Sequence, residues 1–448
     1  MWQVRQERTY VCPVPFFKLA PSRKVDEWAA VPTEDPLQPR TRVYSPRERA
    51  ILDEAIDRWL AQGIIEPSRA WVTCNPLFVP KKNGDMRTCI DFRPINRVLP
   101  VWDWPLPKIK DFRHRLPGRR WFTRLDLKDA FHRISVEPNS RPLTAFHSHR
   151  GNFQFRGMPF GLSTAPATYQ RFIEWVLRTC LKYVIVYIDD ILIMARTRRE
   201  LRKFEAAVRS ALRQWQVTVN EDKSESEVKE VTFCGIKIRE GTIACALEQG
   251  TRPIPRTKEE WWSALGFANC FRDYLPSYAD KAAGLYPGQN QLSEPERTEK
   301  WVSLWNELRG CISLGHYDDT KEGNLFLDAS KYAVGAVLTQ EGKVCAIFSK
   351  ALTSSQQNYS ATDREHLALL QGVEAFRVFI QSNKYLNVNT DHSALLNRNE
   401  DRMTGRQLRW KTRISEITSR IRHIPGKENP ADFWSRQGWK WGGDLFCL

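Results

Sequence analysis

Two adjacent carboxylates, Asp189 and Asp190, stand between the apolar runs Val184-Ile185-Val186 and Ile191-Leu192-Ile193, the pattern of a tight β-hairpin with acids at its tip. Burying such charge without compensation costs several kcal/mol, so a bound cation or a solvent-filled cleft is the natural explanation. An ordinary exposed acidic turn is the bland alternative. A third acid is offered by Asp126, which ends the strand-like Trp121-Phe122-Thr123-Arg124-Leu125-Asp126-Leu127. Three converging carboxylates can hold two hard divalent ions, and metals about 3.5 to 4 Å apart stabilise both the attacking and the leaving oxygen of an in-line phosphoryl displacement.

A second set of acids recurs in the last third of the chain. Asp328 ends the apolar run Leu325-Phe326-Leu327, Glu365 lies in the first turn of a helical stretch, Asp391 ends Val388-Asn389-Thr390, and Asp432 follows in Asn429-Pro430-Ala431-Asp432. Strand-terminal acids from different elements can meet at one sheet edge and make a two-metal site for a water nucleophile. Any one of them alone would more often be a helix cap or an exposed turn.

The elements that must position these acids are legible in part. Ser45-Pro46-Arg47-Glu48 reads as a capping box with Pro at the first helical position, and Ile51, Leu52, Ala55, Ile56, Trp59 and Leu60 form one apolar stripe that ends at Gly63. From Trp71 to about Arg239 short apolar runs (Leu77 to Val79, Thr88 to Ile90, Tyr183 to Tyr187, Ile191 to Met194, Val231 to Ile238) alternate with helical stretches such as Pro166 to Cys180, an α+β pattern. Residues 240 to about 321 read as mainly helical. From Asn324 the pattern restarts with three strand-like runs (Leu325 to Asp328, Ala333 to Leu338, Val344 to Ser349), a helix from about Thr362 to Ile380, a strand at Leu386 to Thr390 and two closing helical stretches.

The chain has 448 residues, more than one core usually serves. Its 68 Lys and Arg against 52 Asp and Glu give a formal charge of +16, which suits a phosphate-rich partner, although a merely soluble basic surface has the same signature. Seventeen Trp, twelve Tyr and twenty-two Phe can stack on bases as well as fill cores. The ten Cys show no CxxC pair and no zinc spacing, so reduced thiols in an intracellular protein are expected. The start lacks the apolar stretch of a signal peptide, and the longest apolar run, interrupted by Asp189 and Asp190, is too short to span a bilayer.

The first set of motifs resembles the palm of reverse transcriptases, most of all those of Ty3/gypsy-type LTR retrotransposons. Leu77-Phe78-Val79-Pro80-Lys81-Lys82-Asn83-Gly84-Asp85-Met86-Arg87-Thr88-Cys89-Ile90-Asp91-Phe92-Arg93-Pro94-Ile95-Asn96 resembles the fingers of that family. Tyr187-Ile188-Asp189-Asp190 resembles its catalytic hairpin, and Gly157-Met158-Pro159-Phe160-Gly161-Leu162-Ser163-Thr164-Ala165-Pro166-Ala167-Thr168-Tyr169-Gln170 its nucleotide- and template-contacting loop and following helix. Asn220-Glu221-Asp222-Lys223-Ser224 resembles the segment with a Lys near the leaving pyrophosphate, Val231-Thr232-Phe233-Cys234-Gly235 the primer grip, and Trp262 to Pro276 part of the thumb. The resemblance implies that Asp126, Asp189 and Asp190 bind two Mg²⁺, with Mn²⁺ a possible substitute. It implies that Lys82 and Arg87 grip the triphosphate, that Lys223 serves as general acid, and that Phe131 excludes a sugar 2′-hydroxyl. Tyr187, Phe160 and Gly161 would complete the substrate contacts.

The order Asp328, Glu365, Asp391, Asp432 resembles ribonuclease H, again with two Mg²⁺, and His423 falls where retroviral relatives carry a His that assists product release. The implied architecture is a right-hand polymerase followed by a ribonuclease H-like α/β domain. Its division is an extension over 1–44, fingers and palm over 45–240, thumb and connection over 241–321, and ribonuclease H over 322–448. The implied partners are an RNA template, a DNA primer, RNA/DNA hybrid and dNTPs. The chain would act as a monomer or a homodimer, with formation on substrate one route to the latter, with no membrane, in a cytoplasmic virus-like particle. With no aspartic-protease, zinc-knuckle or integrase signal, the chain is expected to be one segment of a longer polyprotein. A catalytically silent nucleic-acid-binding descendant is the alternative from another class; an RNA-dependent RNA polymerase conflicts with the ribonuclease H half and with Phe131.

Overall fold

A computed structural model describes residues 3–4, 10–11, 42–70, 74–80, 86–97, 99, 104–107, 113–128, 131–247, 253–275, 278–287, 292–396, 403–417 and 420–431. Two compact units emerge. One comprises 1–107 and 122–228; the other comprises 108–121 and 229–448. Residues 229–240, grouped with the fingers and palm in the sequence reading, therefore fall in the second unit. Gln3–Val4 pairs antiparallel with Tyr10–Val11, and the rest of the expected extension through residue 41 lies outside the described residues.

In the first unit, helix α1 (Pro46–Ala61) begins at the expected capping box, in which Ser45 Oγ accepts the Glu48 N–H and Glu48 Oε2 accepts the Ser45 N–H. Its apolar stripe buries Leu52, Ala55, Ile56 and Trp59. Strand β1 (Ile65–Pro67) follows. A hairpin of β2 (Pro76–Pro80) and β3 (Met86–Ile90) carries the fingers motif. The palm strand β4 (Trp121–Leu127) comes next, followed by β5 (Phe146–Ser148) and β6 (Gly151–Phe155), which join β1 in a three-stranded sheet.

Helix α2 (Ala165–Val176) leads into β7 (Val184–Tyr187) and β8 (Asp190–Ala195), the expected hairpin. Helix α3 (Arg198–Gln214) and strand β9 (Val219–Val228) close the unit, and the palm sheet runs β9-β4-β8-β7. Burial of Val184, Ile185 and Val186 with all of Ile191 to Ala195 explains the unbroken apolar runs: both faces of this hairpin are covered. Strand β9 has almost no apolar residue and was not visible as a strand in the sequence. It is an edge strand, where polar side chains face solvent at little cost.

In the second unit, β10 (Glu230–Phe233), β11 (Ile236–Arg239), β12 (Thr242–Cys245) and the short β13 (Leu314–Gly315) form a four-stranded sheet. The single run expected over Val231 to Ile238 is thus a hairpin. It turns at Cys234 (φ 48°) and Gly235 (φ 76°), two successive positive φ values as a type I′ turn requires. Helices α4 (Lys258–Asn269) and α5 (Glu294–Arg309) pack around Trp261, Leu265, Trp301 and Leu304.

The longer elements that follow are β14 (Gly323–Ala329), β15 (Ala333–Gln340), β16 (Lys343–Ala351), α6 (Ala361–Ala375), β17 (Leu386–Thr390) and α7 (Gly405–Ser415), with the short β18 (Ile421–His423). They make a five-stranded mixed sheet in the order β16-β15-β14-β17-β18, with β14, β17 and β18 parallel. The first of the two closing helices expected from sequence is α7. Residues 432–448 lie outside the described residues.

Candidate active sites

Strand β4 alternates so that Thr123, Leu125 and Leu127 are buried on one face, which leaves Asp126 half-buried on the other, the face that also carries the buried Phe122. Its Cα is paired with Asn220 of β9, and its N–H donates to Ser224 Oγ at 3.2 Å, while that hydroxyl donates to the Asn220 carbonyl at 2.6 Å. Asp189 and Asp190 sit at the tip of the β7-β8 hairpin, where Tyr187 pairs with Asp190 around a two-residue turn. Ile188 occupies that turn at φ 55°, an unfavourable conformation for a β-branched residue that holds only when its surroundings over-determine it.

The surroundings that hold it are visible. Gln170 of α2, fully buried, accepts the Ile188 N–H at 2.7 Å through Oε1. Its Nε2 donates to the Val186 carbonyl at 2.9 Å and to Glu174 Oε1 at 2.7 Å. The Leu127 N–H donates to the Asp189 carbonyl at 3.0 Å, tying the strand of the first acid to the turn of the other two. Gln170 closes the motif that resembles the family's loop and following helix, but its letter alone gives no sign of this clamp. Replacing Gln170 with Leu leaves the Ile188 N–H and the Val186 carbonyl without this partner, each at a cost of about 1–3 kcal/mol. The Q170L variant is expected to melt several degrees lower and to show reduced chemistry at the Asp189 turn, with that at Asp328 unchanged. Equal losses at both sites would refute the assignment.

Burial pushes the Asp189 carboxyl above its ordinary range, and the Asp126 charge adds to this while Lys223 opposes it. Asp190 is raised likewise by burial, with Arg124 as the main opposing charge and Asp189 and Asp126 as further repulsion. Three acids that repel each other in a half-buried cleft are what a cation would relieve.

The other residues singled out by resemblance are distributed as follows. Phe131 is buried, its ring 4.8 Å from that of Phe160 and 5.2 Å from that of Tyr169, so it is both a core residue and the floor beneath the half-exposed Phe160. The Tyr169 hydroxyl is buried without a hydrogen-bond partner among the described residues, and its ionisation is suppressed by burial and then by the charge of Asp189. Gly161 adopts φ 95°, and its carbonyl and the Ser163 N–H are both held by the Asn96 side chain, at 2.9 and 2.8 Å. Arg87 is exposed on β3 opposite Val79. Lys223 is exposed, and its carbonyl accepts from Arg124 Nη2 at 3.1 Å. Tyr187 is half-buried at the end of β7, and Lys82 lies outside the described residues.

Gly157 is required for space: an added Cβ would fall 2.2 Å from the backbone carbonyl oxygen of His132. Backbone cannot yield as a side-chain tip does. We expect Gly157→Ala to destabilise the chain by roughly 1–3 kcal/mol, the usual cost of overpacking, as measured by chemical denaturation; an unchanged midpoint would contradict the close approach.

In the second unit, Asp328 projects from the central strand β14, Glu365 from α6, and Asp391 follows β17. The parallel register Phe326 with Asn389, continued by two residues, lines Asp328 up with Asp391 at one end of the sheet. Asp328, Glu365 and Asp391 each offer an oxygen within 4.8 Å of the others, the one such group of metal-ligand side chains among the described residues. Glu365 Oε2 is buried without a hydrogen-bond partner among the described residues, and burial, then Asp328 and Asp391, push this carboxyl up to about 8. An orphaned buried oxygen facing two more carboxylates fits a divalent ion, which takes oxygen ligands.

Asp432 lies outside the described residues, yet the chain leading to it is anchored beside Asp328. Buried Asn429 donates through Nδ2 to the Leu327 carbonyl at 2.9 Å and accepts the Ala431 N–H at 3.0 Å. His423 is exposed, with Nε2 3.1 Å from the Asp391 carbonyl oxygen.

Comparison with known proteins gives the same two halves. Residues 79–238 match the family model for reverse transcriptase (RNA-dependent DNA polymerase), and residues 318–417 match that for the RNase H-like domain found in reverse transcriptase. The chain is 31% identical over 414 residues to the transposon Tf2-3 and Tf2-4 polyproteins of Schizosaccharomyces pombe, covering 87% of this chain and 31% of each polyprotein. It thus spans about a third of the length of these curated relatives. In fold it is similar to foamy viral protease-reverse transcriptase solved in complex with double-stranded DNA (TM-score 0.74, 21% identity, 88% of this chain and 72% of that one). A second such structure, in complex with RNA/DNA hybrid, gives TM-score 0.72 at 20% identity over 92% of this chain and 57% of that one. Two family domains thus lie in order on one chain, a reverse transcriptase match over 79–238 and an RNase H-like match over 318–417, and the chain is similar to transposon polyproteins of the Ty3/gypsy type.

Proposed function

We propose that this chain extends a primer 3′-hydroxyl with dNTPs on an RNA or DNA template, and that its second domain cuts the RNA strand of the resulting hybrid during replication of the element. The observation that carries this reading is the pairing, on one chain, of two carboxylate sets: Asp126 with the Asp189-Asp190 turn, and Asp328 with Glu365 and Asp391. In each, divalent ions when bound would lower the pKa of the attacking hydroxyl or water and neutralise charge on the leaving oxygen.

In the first set, Asp126, Asp189 and Asp190 would hold those ions. The Gln170 clamp and the Leu127–Asp189 bond fix the acids before substrate arrives, which avoids reorganisation during the reaction. Lys223, whose charge already acts on Asp189, would meet the developing charge on pyrophosphate and could donate a proton to it; Lys82 and Arg87 would neutralise the triphosphate. Phe131, backed by Tyr169, forms a rigid wall suited to rejecting a 2′-hydroxyl, and Phe160, Gly161 and Tyr187 would line the nucleotide.

In the second set, Asp328, Glu365, Asp391 and Asp432 would hold the ions for a water nucleophile. The close approach of Gly426 to Asp391, where an added Cβ would lie 3.2 Å from Oδ2, keeps that carboxylate accessible. His423, with Nε2 3.1 Å from the Asp391 carbonyl oxygen, would assist release from this edge. We further propose Mg²⁺ as the ion and a cytoplasmic particle of the element as the setting.

The test is primer extension by the unmutated chain with dNTPs and Mg²⁺ on a 5′-labelled RNA template, with DNA product and RNA cleavage read together. Both products are expected. Hybrid binding with neither product would replace this reading by that of a catalytically silent binding protein.

A further inference from the structure

Within the first unit, the end of α3, the turn after it and the start of β9 enclose an open cavity of about 720 Å³, within the roughly 300–1,000 Å³ of small-ligand sites. Leu212 and Val217 form its buried floor, and Arg133, Arg209, Arg213 and Glu221 line it. Glu221, the acid of the lining, is consumed by Arg209, which meets it at 2.7 and 3.1 Å and also donates through Nε to Glu205 at 2.8 Å.

The other two guanidinium groups are oriented by neutral acceptors. Arg133 Nη2 donates to Thr218 Oγ1 at 3.1 Å, and Arg213 Nε donates to the Arg209 carbonyl at 3.2 Å. A hydroxyl and a carbonyl steer a guanidinium without cancelling its charge. Gln216, at φ 53°, folds the chain back so that Thr218 comes within reach of Arg133, and the Val217 N–H closes the turn on the Leu212 carbonyl at 2.9 Å.

The cavity adjoins the palm acids through the ladder that supports them. Val219 and Asn220 pair with Leu127 and Asp126, and the Lys128 N–H donates to the Thr218 carbonyl at 2.8 Å. Neither Arg87 nor Lys223 is among its described lining residues. Two preset guanidinium forks above an apolar floor match tetrahedral phosphate oxygens better than a single lysine charge would.

We propose that this cavity is a second phosphate-binding site beside the palm, with Arg133, Arg213 and Thr218 as its donors. The phosphate is one of a nucleic-acid strand or of a free polyphosphate such as pyrophosphate or a nucleoside triphosphate. The inference does not rest on the polymerase reading, since binding is measured without metal or turnover.

The experiment is calorimetric titration of the full chain with inorganic pyrophosphate in EDTA. The unmutated chain is expected to bind, with affinity reduced about tenfold or more in Arg133→Gln/Arg213→Gln and several-fold in Arg213→Gln alone, an exposed substitution that leaves the Arg133–Thr218 bond in place. Displacement by a short oligothymidylate but not by dATP assigns the site to a strand, and the reverse assigns it to a polyphosphate; either sustains it. No binding, affinity unchanged in both variants, loss only in Arg87→Gln, or displacement by neither competitor overturns it.

Discussion

Asp189→Asn is expected to lower DNA synthesis by at least about a hundredfold to a thousandfold, several kcal/mol of lost transition-state stabilisation, while leaving RNA cleavage within about twofold. The asymmetry follows from the separate placement of the two carboxylate sets on β4 and the β7-β8 turn and on β14, α6 and β17. Asn keeps the shape of Asp but removes one charge from a cluster in which burial and Asp126 already raise the Asp189 carboxyl. In chelator the variant should therefore melt no lower than the unmutated chain, so that lost synthesis reflects chemistry and not folding. Primer extension and hybrid cleavage measured on one preparation decide it. Synthesis retained within tenfold would remove Asp189 from the metal set, and parallel loss of both activities would point to a collapsed fold.

Asp126, Asp189, Asp190, Asp328 and Asp391 were legible in the sequence because each breaks a local rule: a charge at the end of an apolar strand, or a pair inside an apolar hairpin, is costly without a partner, whereas Glu365 and Asp432 were legible only through the order that resembles ribonuclease H. The supports were less legible. Gln170 is an unremarkable helix letter until the hairpin folds against it, and its three hydrogen bonds join residues 16 to 18 positions apart and one helical neighbour. Asn96 and Asn429 likewise act on backbone groups far along the chain. Strand β9, with the sequence Val-Asn-Glu-Asp-Lys-Ser-Glu-Ser-Glu-Val, has no apolar alternation because it lies at a sheet edge. Its register is set by backbone pairing to β4 and by polar contacts such as Glu205 with Thr123 and Ser226. The Cys234-Gly235 turn was hidden because Cys is not a usual first residue of a type I′ turn, so the flanking apolar runs read as one strand.

Glu365→Gln is expected to give the reciprocal result: RNA cleavage falls by a factor on the order of a hundred or more while synthesis persists. Its pH dependence tests the local electrostatics directly. The Glu365 carboxyl stands at about 8 in the folded chain against an ordinary value of 4.5, because burial and the charges of Asp328 and Asp391 disfavour its ionised form. Between those two values the folded state holds a proton that the unfolded state has released, so stability falls as pH rises through that window. In EDTA the melting temperature of the full chain should decline from pH 5 towards pH 8, and E365Q, which cannot ionise there, should show a shallower decline. A divalent ion must displace that proton to bind, so Mg²⁺ should stabilise the unmutated chain more at pH 8 than at pH 6, and this pH dependence should weaken in E365Q. Cleavage by the unmutated chain should rise over the same interval. Identical pH slopes for the two proteins in EDTA would mean that Glu365 ionises normally and that its buried Oε2 finds a partner other than a metal.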